Sequence, residues 1–389
     1  MGAPYALDSE HADFRAVVAE FAEQELAPQA AKWNACHELP MDAVRQMADL
    51  GLFGLAGPEE YGGAGDFTSL CIAVEEIGRV DQSLGITLEA AVGLGINPLA
   101  RFGTKEQKQR WLPDLLTGRA LAAFALTEPE SGSDAGALRT SAILDGDCWV
   151  INGAKQFITN SGTEITSLVI VTARTGTRND SKAEISTIIV PRSTIGLTVG
   201  ASYDKLGWHA SDTHPLNFAD LRVPYDHLLG ARGQGYAQFL ATLDDGRIAI
   251  AALALGCIRA CRDLSRSYAL QRQSFGAPIG RNQAVAFSIA DLDVMAHTAG
   301  LLVYAAASLR DHGGSATELK RAAAIAKLYA SESAVAATRI ATQVFGGYGF
   351  MEEYPIARFY RDAKALEIGE GTSEVQRLLI ARALDLPVE

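Results

Sequence analysis

Glu370 stands between two glycines in the run Ile368-Gly369-Glu370-Gly371-Thr372-Ser373-Glu374-Val375-Gln376-Arg377. A carboxylate flanked by residues without side-chain bulk can be approached closely by a ligand, as can the neighbouring backbone N–H groups. The chemistry open to it is removal of a proton from carbon. Ser373 and Gln376 have capping-box spacing, and Val375, Leu378, Leu379, Ala383 and Leu386 recur at helical intervals. A helix is therefore predicted to open near Ser373, with Glu370 on the turn before it. From there the carboxylate could equally do no more than complement the positive end of the helix dipole.

Other chemistries lack their signatures. The chain contains no G-x-G-x-x-G, no G-x-S-x-G and no P-loop lysine motif, which disfavours a Rossmann-bound NAD, a serine hydrolase and a nucleotide hydrolase. Its five cysteines are scattered, and Cys257 and Cys261 have the spacing of packing residues on one helix face. The seven histidines form no ligand cluster, so no metal site is expected. A net charge of −12 argues against a nucleic-acid partner or an anionic membrane surface. No stretch approaches eighteen or so uninterrupted apolar residues, and Asp8, Glu10 and Asp13 break the pattern of a secretory leader. The expectation is a cytoplasmic protein without membrane insertion.

The elements that must position Glu370 fall into three stretches of the 389 residues. Residues 1–120 read as helical: Phe14, Val17, Val18 and Phe21 are amphipathically spaced, Asp42 to Leu52 and Leu70 to Val80 continue the pattern, and Thr104 with Gln107 forms a capping box. Residues 121–228 change period. A hairpin is predicted from Ser141 to Ile151 around Asp145-Gly146, with further strands over Ser167 to Thr172 and Ile185 to Val190 and turn signals from Leu216 to Pro224. Residues 229–389 return to alanine-rich helices over Ile248 to Tyr268, Asn282 to Leu309, Ala316 to Val344 and the segment after Glu370. Small residues allow close helix approach, so a four-helix bundle is the natural packing.

The run around Glu370 resembles the C-terminal signature of the acyl-CoA dehydrogenases. Further segments resemble that family in the right order, and together they cover nearly the whole chain: Leu126 to Asp134, Phe157-Ile158-Thr159-Asn160, Lys205-Leu206-Gly207-Trp208, Gln271 to Gly276 and Gln343 to Gly349. The resemblance implies a mainly α fold with a central β-barrel-like domain, an N-terminal helical domain and a C-terminal four-helix bundle. It also implies FAD-dependent α,β-dehydrogenation of an acyl-CoA or acyl-carrier-protein thioester. In that reaction Glu370 removes the α-proton, flavin N5 takes the β-hydride, and an electron-transfer flavoprotein receives the electrons. An acyl-CoA oxidase using oxygen and a catalytically silent helical scaffold are the alternatives.

By the same resemblance FAD is gripped by a loop carrying Phe124, Leu126, Thr127, Gly132 and Ser133, and by Phe157, Ile158 and Thr159. Arg272 and Gln283, with Gln343, Val344, Phe345, Gly346 and Gly347, correspond to residues that reach the flavin of a neighbouring subunit, and Phe275 to a further cofactor contact. Thr372, Ser373 and Glu374 match the cofactor contact next to the base. A shared cofactor implies a homo-oligomer, a tetramer by resemblance. Substrate contacts fall on Ser133, Asp244, Asp245, Gly246, Arg247 and Gly371. In some members the base lies on the helix of Arg247, one residue before it; here that residue is Gly246, which returns the role to Glu370. Two positions depart from many relatives: Gly369 replaces a tyrosine and His209 an arginine.

Overall fold

The computed structural model describes residues 7–179 and 182–388. Its N-terminal part is built from α1 (Ser9–Phe21), α2 (Ala30–Cys36), α3 (Met41–Asp49), α4 (Phe67–Gly78), α5 (Gln82–Glu89), α6 (Asn97–Phe102) and α7 (Lys105–Leu116), with π-helical turns at Ala22–Leu26 and Ala90–Ile96. Short polar side chains set the helix starts: Asp8, Asp66 and Asp81 each accept from a backbone N–H three residues on, and Thr104 with Gln107 completes the capping box. Almost every residue of α4 and α5 is buried, because both lie inside the protein against the long first helix of the C-terminal bundle.

Eight strands follow: β1 (Leu121–Ala125), β2 (Ser141–Asp145), β3 (Cys148–Thr159), β4 (Thr166–Thr177), β5 (Ala183–Pro191), β6 (Leu197–Val199), β7 (Thr213–Pro224) and β8 (Leu228–Leu229). They form one mostly antiparallel sheet in the order β6-β7-β3-β2-β4-β5-β8, with β1 parallel to the first half of β4 and β2 touching its second half. The predicted hairpin is present, with Gly146 left-handed in its turn. Trp149, Ile151, Val169, Val171, Ile188 and Val190 fill a core under this sheet that is separate from the helical core. The β3–β7 ladder slips between Lys155 and Ile158, a bulge that turns Phe157 out of the sheet at φ 60°.

The C-terminal part comprises α8 (Gly235–Gln271), a small hairpin of β9 (Gln273–Ser274) and β10 (Ala277–Pro278), then α9 (Gln283–Asp311), α10 (Ala316–Phe345), α11 (Pro355–Leu366) and α12 (Ser373–Ala383). Ala323, Ala326, Ala330, Ala334, Ala337 and Ala341 make a buried small-residue seam on α10, which lets it lie close against α8 and α9. α11 is a helix beyond the predicted four, with Pro355 in its first turn and Ile356, Phe359, Ala363 and Leu366 facing the core. Two helical stretches reach the length and mean hydropathy of a membrane span, Gln82–Phe102 and Gln283–Asp311, where none was expected. In the first, 83% of the apolar window is buried inside the protein; in the second, the share is 44%.

Polar contacts dock the middle domain onto the helices, among them bonds from Gln107 of α7 and Gln238 of α8 to the carbonyls of Leu228 and Leu229. The backbone N–H of Trp208 donates to Asp362 of α11 at 2.6 Å, and a β-carbon at Gly207 would collide with that same aspartate and with the Arg361 backbone. Asn160, left-handed and fully buried, donates to the carbonyl of Thr87 in α5 at 3.0 Å. His209 stacks on His37 with ring centroids 3.9 Å apart, and burial lowers its pKa.

Candidate active site

α11 ends at Leu366, and the chain reverses into α12 through Glu370 at φ 53° and Gly371 at φ 95°. A glutamate in the left-handed region persists only where its surroundings fix it. Three side chains do so. Lys327 of α10 donates to the Gly371 carbonyl at 2.8 Å, Gln376 of α12 donates to the same oxygen at 2.8 Å, and Arg247 of α8 donates to the Glu370 carbonyl at 3.3 Å. The predicted capping box is not formed. Thr372 caps α12 by accepting from Val375 N–H at 3.3 Å, while Gln376 turns back to serve the two left-handed carbonyls, and the Ser373 hydroxyl is buried.

The Glu370 side chain points away from α12, onto Gly246 of α8. A β-carbon at Gly246 would collide with its carboxylate, so only glycine admits it. Dipole complementation therefore does not account for this carboxylate. Both of its oxygens are buried, and no N–H and no side chain other than that of Glu89 reaches them. Burial pushes its pKa up to about 7, opposed by a hydrogen bond from Glu89 and by the charges of Arg247 and Lys327. Lys327 is fully buried and its pKa falls to about 8 by desolvation, with Glu370 pulling the other way. Glu89, the last residue of α5, is fully buried, and desolvation followed by the Glu370 charge pushes it well above the carboxylate range.

Of the residues expected to meet substrate, Gly246, Arg247, Asp244 and Gly371 come together here, with Arg247 donating to Asp244 at 2.5 Å. Asp245 does not join them. It is fully buried on the opposite side of α8, where Asn97, Arg101 and Arg310 donate to its two oxygens at 2.8, 2.9 and 2.8 Å. Ser133 lies exposed on the loop after β1, and Glu374 is exposed in the first turn of α12.

The two middle-sheet segments adjoin: Gln156 N–H donates to the Thr127 carbonyl at 2.8 Å. Fully buried Lys155 pins the loop through bonds to the Leu126 carbonyl at 2.9 Å and to Glu128 at 2.8 Å, while Glu128 accepts from the N–H groups of Arg139 and Thr140. Phe157, 61% exposed, projects beside Tyr203, with Thr127 and Thr159 half-buried near it. A second group gathers at one end of the bundle. Arg272 lies 5.4 Å over the Tyr348 ring, Phe345 stacks on Tyr268 at 4.2 Å, Val344 is half-buried, and Gln283, Gln343, Gly346 and Gly347 are exposed. Phe275 and Gly276 are both left-handed, a type I′ pattern that holds the Phe275 ring fully in solvent at the hairpin tip. Among the described residues, no hydrogen bond, ion pair or ring contact joins this group to Phe124, Leu126, Thr127, Gly132, Ser133 or Phe157–Thr159 within the chain.

The acyl-CoA dehydrogenase N-terminal domain matches residues 8–119, its middle domain residues 123–221 and its C-terminal domain residues 233–384. The chain belongs to the acyl-CoA dehydrogenase family. It is 49% identical over 381 residues to the probable acyl-CoA dehydrogenase YngJ of Bacillus subtilis, covering 98% of this chain and 99% of that one. It is 45% identical to the mitochondrial short-chain specific acyl-CoA dehydrogenase of Bos taurus, covering 96% and 90%. The structure of butyryl-CoA dehydrogenase from Megasphaera elsdenii superposes with a TM-score of 0.94 at 39% identity, over 98% of this chain and 99% of that one.

Acyl-CoA dehydrogenases are FAD-dependent oxidoreductases of acyl-CoA metabolism, and the residues present suit that cofactor. Phe157, strained and exposed on a bulge next to a loop pinned by a buried ion pair, supplies an apolar face of the kind a flavin ring covers. Reading the acyl-CoA dehydrogenase site from sequence missed Glu89 and Lys327. Each carried a signal: Glu89 is an isolated carboxyl in the apolar stretch 82–102, and Lys327 interrupts the alanine seam Ala323, Ala326, Ala330.

Proposed function

We propose that this acyl-CoA dehydrogenase forms a trans-2-enoyl-CoA with Glu370 as the base that removes the α-proton. The observation that carries this is a buried carboxylate whose oxygens meet no side chain but that of Glu89, set against a bare glycine and held there by Lys327, Gln376 and Arg247 through the backbone of its turn. A carboxyl that burial raises to about 7 is a stronger base than an ordinary carboxylate and suited to accept a proton from carbon once water is excluded. The chemistry FAD supplies when bound is acceptance of the β-hydride at N5, which no amino-acid side chain can provide. Phe124, Leu126, Thr127, Gly132 and Ser133, with Phe157–Thr159 and the Thr372–Glu374 segment, would hold it from one chain. Arg247 and Asp244 orient the polar end of the thioester next to Glu370.

A second copy of the chain supplies Arg272, Phe275, Gln283 and the 343–347 segment in this reading. The separation of these residues from the middle sheet supports it, as does an exposed stripe of Phe287, Val294 and Leu301 on α9. The assembly is a homotetramer located in the cytoplasm, and it passes electrons to an electron-transfer flavoprotein. The names of the bovine and Megasphaera proteins support an acyl chain of a few carbons. A silent scaffold would have no use for two buried carboxyls placed side by side, which costs stability.

The test is anaerobic bleaching of the flavin by a panel of acyl-CoAs. Glu370→Gln, which keeps the shape and loses the proton acceptor, should retain flavin and abolish bleaching; full activity in that variant would move the base elsewhere. Oxygen uptake during turnover would identify an oxidase instead. Arg272→Ala should weaken FAD retention, and a tightly flavinated monomer would contradict the shared site.

A further inference from the structure

The Glu89 and Glu370 carboxyls lie within hydrogen-bonding reach of each other, and all four of their oxygens are buried with no other donor. Two ionised carboxylates cannot occupy a dry site together, because neither their repulsion nor their lost hydration is offset. The Glu89 carboxyl lies over Gly93, one turn later, in space that a β-carbon would take, 2.8 Å from its Oε1. The charged groups around the pair are distributed unevenly. Arg247 of α8 and Lys327 of α10 face Glu370, while Asp244, Glu332 and Glu367 act on those two cations. On α12, Gln376 is neutral and occupied with the loop carbonyls. The Glu89 carboxyl feels its burial and the Glu370 charge. Arg247 and Lys327 both bond to the turn that carries Glu370, so the negative charge belongs on Glu370 and the proton on Glu89.

We propose that Glu89 is a carboxylic acid donating a hydrogen bond to the Glu370 carboxylate, so that the pair holds a single proton and Glu89 is the positioning residue of the base. This rests on the reading of Glu370 as the base. In the resting enzyme the pair carries one negative charge, and the bond parks the carboxylate over Gly246. When the α C–H bond of the thioester breaks, Glu370 takes that proton and the bonding pair enters the new double bond, the β-hydride being what bound FAD would accept. Both carboxyls are then neutral, and loss of one proton to solvent restores the resting pair.

Infrared spectra of the flavinated enzyme near neutral pH, in H2O and D2O, test the shared proton directly. The expected result is a protonated-carboxyl band that disappears in Glu89→Gln and shifts in Glu370→Gln; a band from Asp362, also buried and near 7, should persist in both. Kinetics supply the second readout. Glu89→Gln keeps a donor and should hold the acid limb of kcat/KM in place, whereas Glu89→Leu should move it upward by about one pH unit. That is a roughly tenfold loss below the limb, recovered at higher pH, which a packing defect would not restore. Flavin absorbance and the thermal midpoint verify folding of each variant. Absence of a band that Glu89→Gln removes, or an unmoved limb in Glu89→Leu, would overturn the proposal. Full activity in Glu370→Gln would sink the base reading alone, since the infrared result stands without it.

Discussion

The Lys327 ammonium and the Gly371 carbonyl lie 2.8 Å apart, tying the middle of α10 to the turn that carries Glu370. Removing that tie acts twice. The turn loses one of the donors that hold two successive left-handed residues, and Glu370 loses a positive charge that favours its ionised form. Lys327→Met is expected to lower kcat about a hundredfold through misplacement of the base and to shift the acid limb of the pH–rate profile upward. An unchanged limb with lowered kcat would leave Lys327 a purely geometric role.

Gly246→Ala separates site from scaffold. Alanine inside α8 should gain about 1 kcal/mol of helix propensity, and the only group it strikes within the site is the flexible end of Glu370. The thermal midpoint should hold or rise while substrate-dependent flavin bleaching falls by orders of magnitude. A variant that is both folded and fully active would mean that Glu370 does not work from this position.

Gly369 is not demanded by backbone geometry. Its φ lies outside the left-handed region, and a β-carbon there would meet only the Ala365 carbonyl at 3.5 Å. Gly369→Ala should therefore be close to neutral. The open side of this residue supports the hypothesis that the site accepts bulk near the α- and β-carbons, so Gly369→Tyr should depress kcat/KM for branched acyl-CoAs more than for straight ones. Equal losses for both kinds would refute it.

The Asp362 carboxyl makes stability fall as pH rises. Burial holds it at about 7 in the folded protein against an ordinary value of 3.8, so between those limits the folded state binds the extra proton. Its stabilising contribution is complete at the low end of that window and is lost as pH climbs through 7, at up to about 1.4 kcal/mol per pH unit. Glu370 and Glu89, also raised, act in the same direction. Asp362→Asn should flatten, without abolishing, the decline of the thermal midpoint between pH 5 and pH 8. An unaltered slope would show that Asp362 is ionised throughout.

Local rules made much of the architecture legible. Alanine periodicity on α8, α9 and α10, the capping box at Thr104 and the hairpin from Ser141 to Ile151 each depend on residues a few positions apart, so the sequence carried them. The Gly-Glu-Gly turn likewise marked Glu370, because chemistry at a turn needs neighbours without bulk.

Tertiary structure decided what surrounds that carboxylate. Residues 89, 246, 327 and 376 come from four different helices, and no spacing in the chain relates them. The cap at Thr372 in place of Ser373 was settled by the need to satisfy carbonyls of a left-handed turn, and the inward burial of Asp245 by three donors from α6 and α9. A sequence states which groups can ionise. Which of them loses its water, and which opposite or like charge then faces it, is fixed only when the helices pack.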